Sequence, residues 1–355
     1  MTARSVVGVR PARSPWRIGL ALVGVLVLLM LIGVSVGAVS IAPGRILALL
    51  LEPLGVADGR LSDAERAIFW SVRMPRVLMG VLVGGALGGA GAAVQGLFRN
   101  PLADPGLVGV SAGSALGAAL TIVLGGAFLA SLPSWVRPAV LPLAAFVGGA
   151  LVTVLVLRLG APRGRAAGLT VLLAGVAVNA LVGAFVGLLS HVASDAELRD
   201  LTFWTLGGLS GATWQKLAFV APWILGVLVL LPRLGRQLDL LALGDTEAGY
   251  LGLRVARLRV HVVAAISISV GAAFAAAGLV GFVGLVVPHL VRLLVGPRHG
   301  ALIPLSALFG GALLVGADAV ARTIIAPAEL PVGLLTASLG APFFLYLLRR
   351  EVRVP

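Results

Sequence analysis

Residues 77–97 read VLMGVLVGGALGGAGAAVQGL, a run of 21 residues without a charge. About 20 mostly apolar residues are what a helix needs to cross the hydrocarbon of a bilayer. Inside the run Gly80, Gly84 and Gly88 recur every fourth residue, with Gly85 and Gly89 beside them. A stripe of small residues lets helix backbones touch in lipid, where hydrophobic drive between helices is weak. Gly109, Gly113 and Gly117 repeat the device in the next apolar segment. Tight packing of a bundle accounts for both stripes, and lining of a pathway is the alternative.

Working outward, apolar segments fall near 16–39, 107–130, 138–158, 169–190, 217–233, 258–277, 280–296, 301–320 and 332–348. With 77–97 they make ten, so the chain reads as an all-α polytopic membrane protein, one transmembrane domain over 1–355. The composition agrees. Of 355 residues 59% are hydrophobic and 12% charged, against about 25% charged in an average soluble domain. A soluble enzyme, a disordered tail and a secreted scaffold are excluded. The segment at 16–39 is too long for a signal-peptide core and reads as a permanent span.

Ten spans put both termini on one side. With a cytoplasmic N-terminus, the inner segments hold 18 of the 27 basic residues and five acids, and the outer side nine of each. Lys/Arg bias orients spans, so the N-terminus and C-terminus are expected in the cytoplasm. The net charge of +13 is then topological, and nucleic acid is not needed to explain it.

The chain offers little chemistry of its own. Absence of cysteine excludes disulfides, thiolate metal sites and Cys nucleophiles. His191, His261, His289 and His299 lack metal-ligand spacing, and His289 within Val287-Pro288-His289 suits packing. No Ser-His-Asp set or carboxylate pair suggests catalysis. Among acids only Asp318 lies near a span, four residues before Arg322, where a helix brings the two together as an ion pair. A phosphate loop needs a lysine in GxxxxGK[ST]. The only lysine is Lys216, after Gln215, so any ATP-driven motor must be another polypeptide.

Two stretches are more specified than packing requires. Arg73-Met74-Pro75-Arg76 precedes the glycine-striped span, and Arg99-Asn100-Pro101-Leu102-Ala103-Asp104-Pro105-Gly106 follows it as a rigid turn. On the residues alone, Arg73 and Arg76 anchor a span end at the headgroups. The second stretch is the inner loop 241–253. There Asp245 is expected to N-cap a short helix and Gly252 to end it, with Ala248 and Leu251 sharing an apolar face for a cytoplasmic partner.

The strings RMPR (73–76), GAAVQGLFRNPLADPGLVGVSAG (91–113), LALGDTEAGYLGL (241–253), GFVGLVVPHLVR (281–292) and APAELPVGLLTASLGAPFF (326–344) resemble the FecCD-type permeases. These are the membrane subunits of type II ABC importers for iron chelates, haem and cobalamin. The resemblance covers about 60–350. It implies ten helices per subunit and a homodimer with its pathway on the two-fold axis. It also implies two ATPase subunits inside that bind ATP and Mg, a periplasmic binding protein outside, and no cofactor on this chain.

By the same resemblance Arg73, Arg76 and Arg322 meet carboxylates of the binding protein. Asn100 and Leu102 form an inner gate, with a companion at Ala167 and Gly168, where the family often has small hydroxyl residues instead. Gly244, Asp245, Glu247, Ala248, Leu251 and Gly252 couple to the ATPase. The segment 169–190 and a short helix near 197–206 line the pathway. SDAELRDLTFWTLGGL (194–209) and EAGYLGL (247–253) are most similar to haem importers, so haem is the expected cargo and His191 a possible contact. Ferric siderophores and cobalamin are the alternatives. From a different class, an ion-coupled secondary transporter with inverted repeats would match the echo of Ala90-Gly91 and Pro101 in Ala277-Gly278 and Pro288. Acids near the spans are scarce, and with the specified inner loop this favours the ATP-driven reading.

Overall fold

The computed structural model describes residues 14–37, 39–52, 61–160 and 167–351. Among them there is no strand. In chain order the helices are α1 (Pro15–Ser35), α2 (Pro43–Leu51), α3 (Asp63–Ala67), α4 (Met74–Phe98), α5 (Val110–Leu124), α6 (Gly126–Ser131), α7 (Arg137–Leu159) and α8 (Ala167–Val192). There follow α9 (Asp195–Leu206), α10 (Trp214–Leu230), α11 (Gly235–Leu241), α12 (Asp245–Tyr250), α13 (Val255–Ala277), α14 (Val283–Val295), α15 (His299–Ala321) and α16 (Val332–Glu351).

Each of the ten expected segments contains a helix. Among the described residues seven helical stretches are long and apolar enough to cross a membrane, and α5, α14 and part of α16 (Val332–Leu345) are shorter apolar helices. The shortfalls have local causes. The segment at 107–130 breaks at Gly125 into α5 and α6. That at 280–296 starts late because Gly278, at φ +67°, and Phe282, at φ +66°, turn the chain before α14 begins.

The striped span is longer than expected. A continuous helical stretch runs Asp63–Phe98, opened by a capping box in which the Ser62 hydroxyl accepts from the Glu65 N–H and Glu65 reaches back. Before α4 it widens into a π-helical turn at Ile68–Arg73. Pro75 follows at once: it lacks an N–H, and its ring would clash with the carbonyl four residues back in a regular α-turn. Arg73 and Arg76 therefore lie within one helix, not on a segment above it.

Packing places this helix at the centre. In its most apolar stretch 83% of residues are buried, against 17% for α1 and 22% for α8. A Cβ on Gly84 would fall 2.2 Å from the Gly310 carbonyl oxygen, and one on Gly88 would fall 2.2 Å from that of Ser306. One on Gly91 would meet the Gly284 carbonyl at 1.9 Å. Gly113 and Gly117 make the same approach to Gly148 and Ala144 of α7. Both stripes are packing seams, which bring α15 and α14 against α4 and α7 against α5. His289 likewise packs, edge-on to Phe343 with ring centroids 6.0 Å apart. The outward faces of α1, α7, α8 and α10 carry exposed Leu, Val and Phe, as lipid or a second copy requires.

Candidate functional site

The two ends of α4 each carry a polar site. At about 1.5 Å per residue, the 23 steps from Arg76 to Arg99 separate them by about 35 Å.

At the first end, Asp318 of α15 is 1% exposed. The Arg76 guanidinium donates to it from Nε, at 3.1 Å to both oxygens, and from Nη2 at 2.9 Å. Arg322 meets the same carboxylate at 3.1 Å, the helical pairing its spacing predicts. The remaining donors close the end of α1. The last turn of a helix leaves carbonyls without partners and carries partial negative charge. Arg73 donates to the carbonyls of Val34 at 2.5 Å and Ser35 at 2.8 Å, and also to Val39. Arg322 donates to Gly33 at 2.9 Å and Val36 at 3.1 Å.

Arg73, Arg76 and Arg322 are 4%, 6% and 7% exposed. The expectation of three outward guanidinium groups is corrected here: each is turned into the chain, where it finds the partners a buried charge needs. The group of this network that does face out is Glu329, whose side chain is 40% exposed and holds Arg76 at 3.0 Å. Sequence reasoning missed it. It lies within the quoted APAELP string, but nothing local links it to a residue 253 positions away.

At the other end, Arg99 closes α4 in the left-handed region at φ 50°. Asn100 Oδ1 accepts from the Leu102 N–H at 2.9 Å, and Asp104 Oδ1 from the Gly106 N–H at 2.7 Å. These two side-chain turns make 99–109 the rigid segment its Asn, Asp and prolines predict. Burial pushes the Asp104 carboxyl above its ordinary range, and the Gly106 N–H opposes the shift. Asn179 of α8 donates to the Gly106 carbonyl at 3.2 Å, and a Cβ on Gly175 would strike the Leu107 carbonyl. The turn therefore leans on α8, through two residues the sequence did not single out. Ala167 and Gly168 open α8, and their side-chain surroundings lie outside the described residues. His191, in the last turn of α8, is exposed at its far end.

The inner loop folds as α11 followed by α12. Gly244, not Asp245, is the N-cap, and its φ of 128° suits glycine alone. Displaced to the first helical position, Asp245 turns its carboxylate to Arg259 at 2.6 Å and Arg99 at 3.5 Å. At the other end Gly252, φ +85°, closes a Schellman turn. The Leu253 N–H donates to the Ala248 carbonyl and the Gly252 N–H to that of Gly249, both at 3.0 Å.

The apolar face is also revised. Ala248 is fully buried against its own chain, while Leu251 is 58% exposed, with Tyr250 at 87% and Leu243 at 62%. Leu251 is the C-cap, and its N–H still donates to the Glu247 carbonyl at 3.1 Å, so it stays beside Ala248, whose small side chain is covered while the leucine reaches outward. Leu243, Tyr250 and Leu251 are the side chains on offer to a partner. Beside them a groove of about 320 Å³ runs past Leu240, Leu253, Arg257 and His261. Nothing here is a reaction centre, and among the described residues no cluster of His, Asp and Glu could hold a metal.

The chain is 45% identical to the hemin transport system permease protein of Yersinia pestis over 291 residues, 82% of this chain and 85% of that one. It is 43% identical to the cobalamin import system permease protein of Halobacterium salinarum over 292 residues, 82% and 76% of the two chains. A solved metal-chelate type ABC transporter in an inward-facing conformation superposes with a TM-score of 0.80 at 31% identity, covering 95% of this chain and all of that one. The family is one of membrane-spanning transport subunits that work with an ATPase and a substrate-binding protein and are not themselves enzymes. Its model, the FecCD transport family, matches residues 25–350, and the chain belongs to it.

Proposed function

We propose that the chain is the permease subunit of an ATP-driven importer that moves haem or a related iron chelate across the bacterial inner membrane. The observation that carries the ATP-driven part is the short helix α12, capped at both ends by glycines with positive φ. It offers Leu243, Tyr250 and Leu251 to a partner in a chain that has a single lysine and no phosphate loop. Two ATPase subunits, which bind ATP and Mg, dock there. The excess of basic residues on that side supports a cytoplasmic N-terminus and C-terminus.

Two copies associate as a homodimer of ten-span subunits, and the exposed face of α8 supports a pathway between them. Asn100 and Leu102 gate its inner end with Ala167 and Gly168, and His191 meets cargo near its outer end. The periplasmic binding protein sits over Arg73, Arg76 and Arg322, whose buried network fixes Glu329 and the helix ends beneath it. Haem as cargo is supported by the 45% identity with the hemin permease.

The test is uptake into proteoliposomes that contain the permease with its ATPase and receive the loaded binding protein. Hemin should accumulate only with ATP, and excess cyanocobalamin should not compete. Accumulation driven by an ion gradient without the ATPase would overturn the ATP-driven reading. Competition by cyanocobalamin would overturn the cargo alone.

A further inference from the structure

Between the first turns of α7 and α10 lies a groove of about 390 Å³, which shares Pro142, Lys216 and Ala276 with the neighbouring cavity lined by Arg76 and Glu329. Its walls are Pro138, Ala139 and Pro142 of α7 and Phe219 of α10, and its floor includes Ala276 of α13. One turn further in, Phe146 and Trp223 meet across it with ring centroids 5.9 Å apart and close that end. From Pro138 to Phe146 the helix advances about 12 Å, room for a good part of an acyl chain. The flanks below the mouth, Leu143, Trp223 and Leu225, are 48–50% exposed, so the groove opens to the lipid-facing side.

The mouth is polar and cationic. Lys216 lines it beside Thr213 and Gln215, its Nζ close to Gly211 on the border with the cavity that Arg76 and Glu329 line, and it forms no ion pair among the described residues. Arg137, the residue before Pro138, donates to the carbonyls of Leu132 and Ala130 at 2.9 Å and has no acidic partner among them either. Trp135, 82% exposed, stands at the same end, where an interfacial tryptophan belongs. An apolar channel ending at a lysine without an acidic partner, at the level of the headgroups, matches one ligand chemistry. That is an acyl chain joined to a phosphodiester of net negative charge. A zwitterionic lipid brings its own ammonium to the same place and loses this advantage.

We propose that this groove is a binding site for an anionic phospholipid, one acyl chain lying between α7 and α10 and the phosphate on Lys216. The proposal is independent of the cargo and of the ATPase.

The full chain, purified in detergent and stripped of lipid, is equilibrated with equal phosphatidylglycerol and phosphatidylcholine of identical chains, and retained lipid is counted by native mass spectrometry. Phosphatidylglycerol should be retained about fivefold over phosphatidylcholine. Lys216→Gln should bring the ratio near one and Lys216→Arg should keep it. Ala139→Leu, which fills the groove, should reduce both lipids and the quenching of tryptophan fluorescence by a brominated acyl chain. Equal retention by the native chain, or a ratio unmoved in Lys216→Gln, would overturn the proposal. So would full displacement by glycerophosphoglycerol, which has no chains, because the groove would then contribute nothing.

Discussion

Asp245 and Arg99 stand 3.5 Å apart, one opening α12 and the other closing α4 in a left-handed turn. The same carboxylate holds Arg259 of α13 at 2.6 Å. The helix α12, proposed above to meet the ATPase, is thus tied directly to the residue before Asn100. Under the proposed function, a push on α12 would reach the turn at Asn100 through the one ion pair to Arg99, and the turn would pass it to α8 through Asn179.

Asp245→Asn tests that linkage. The pair to Arg99 is partly exposed and worth about 0–1 kcal/mol. The closer one to Arg259 is less exposed, and losing it costs about 1–3 kcal/mol. ATP hydrolysis should continue in the assembled importer while uptake per ATP falls. Unchanged uptake per ATP would show that the ion pairs only steady the loop.

Tyr250 and Ala248 separate docking from folding within one short helix. Tyr250→Asp alters an 87% exposed side chain, so thermal stability should hold while ATPase affinity falls by about 2 kcal/mol or more if the tyrosine anchors the contact. Ala248→Asp buries a charge against the chain itself and should lower thermal stability before any partner is added. Co-purification of the ATPase, read beside the melting temperature, distinguishes the two.

Much of this was legible in the sequence because membrane helices announce themselves by composition and glycine seams by period. All ten apolar segments contain helices, and the Asp318–Arg322 pair follows from a spacing of four. What was not legible depends on long-range placement. Pro75 signals a break, but only the π turn shows that the helix absorbs it and carries Arg73 and Arg76 inward. Asp245 has the chemistry of an N-cap, and distant Arg99 and Arg259 draw it off that role. Ala248 and Leu251 lie one turn apart as their spacing predicts, but burial of Ala248 against its own chain leaves only Leu251 to a partner.

Leu102 reports on the gate. The chain has no cysteine, so Leu102→Cys introduces a single thiol on a half-buried position of the rigid turn. Disulfide crosslinking between two copies should be efficient in one nucleotide state of the importer and weak in another. Equal yields in every state, or none in any, would remove Leu102 from a moving gate.

Glu329 and Asp318 test whether the arginine network serves the binding protein, as proposed, or only the fold. Both carboxylates contact Arg76, but Asp318 is buried and Glu329 is 40% exposed along its side chain. Asp318→Asn leaves Arg76 and Arg322 without their buried counter-charge, a loss of about 3–5 kcal/mol, and should reduce folded protein in the membrane. Glu329→Gln forgoes a pair at the surface, worth about 0–1 kcal/mol, and should leave stability intact. It also removes the one negative group the network turns outward. If the binding protein presents carboxylates here, association with Glu329→Gln should be faster than with the native chain and fall more steeply with salt. Glu329→Lys should extend both trends. An on-rate and salt dependence unchanged in both variants would show that the network only ties α1, α4 and α15 together and that docking lies elsewhere on this face.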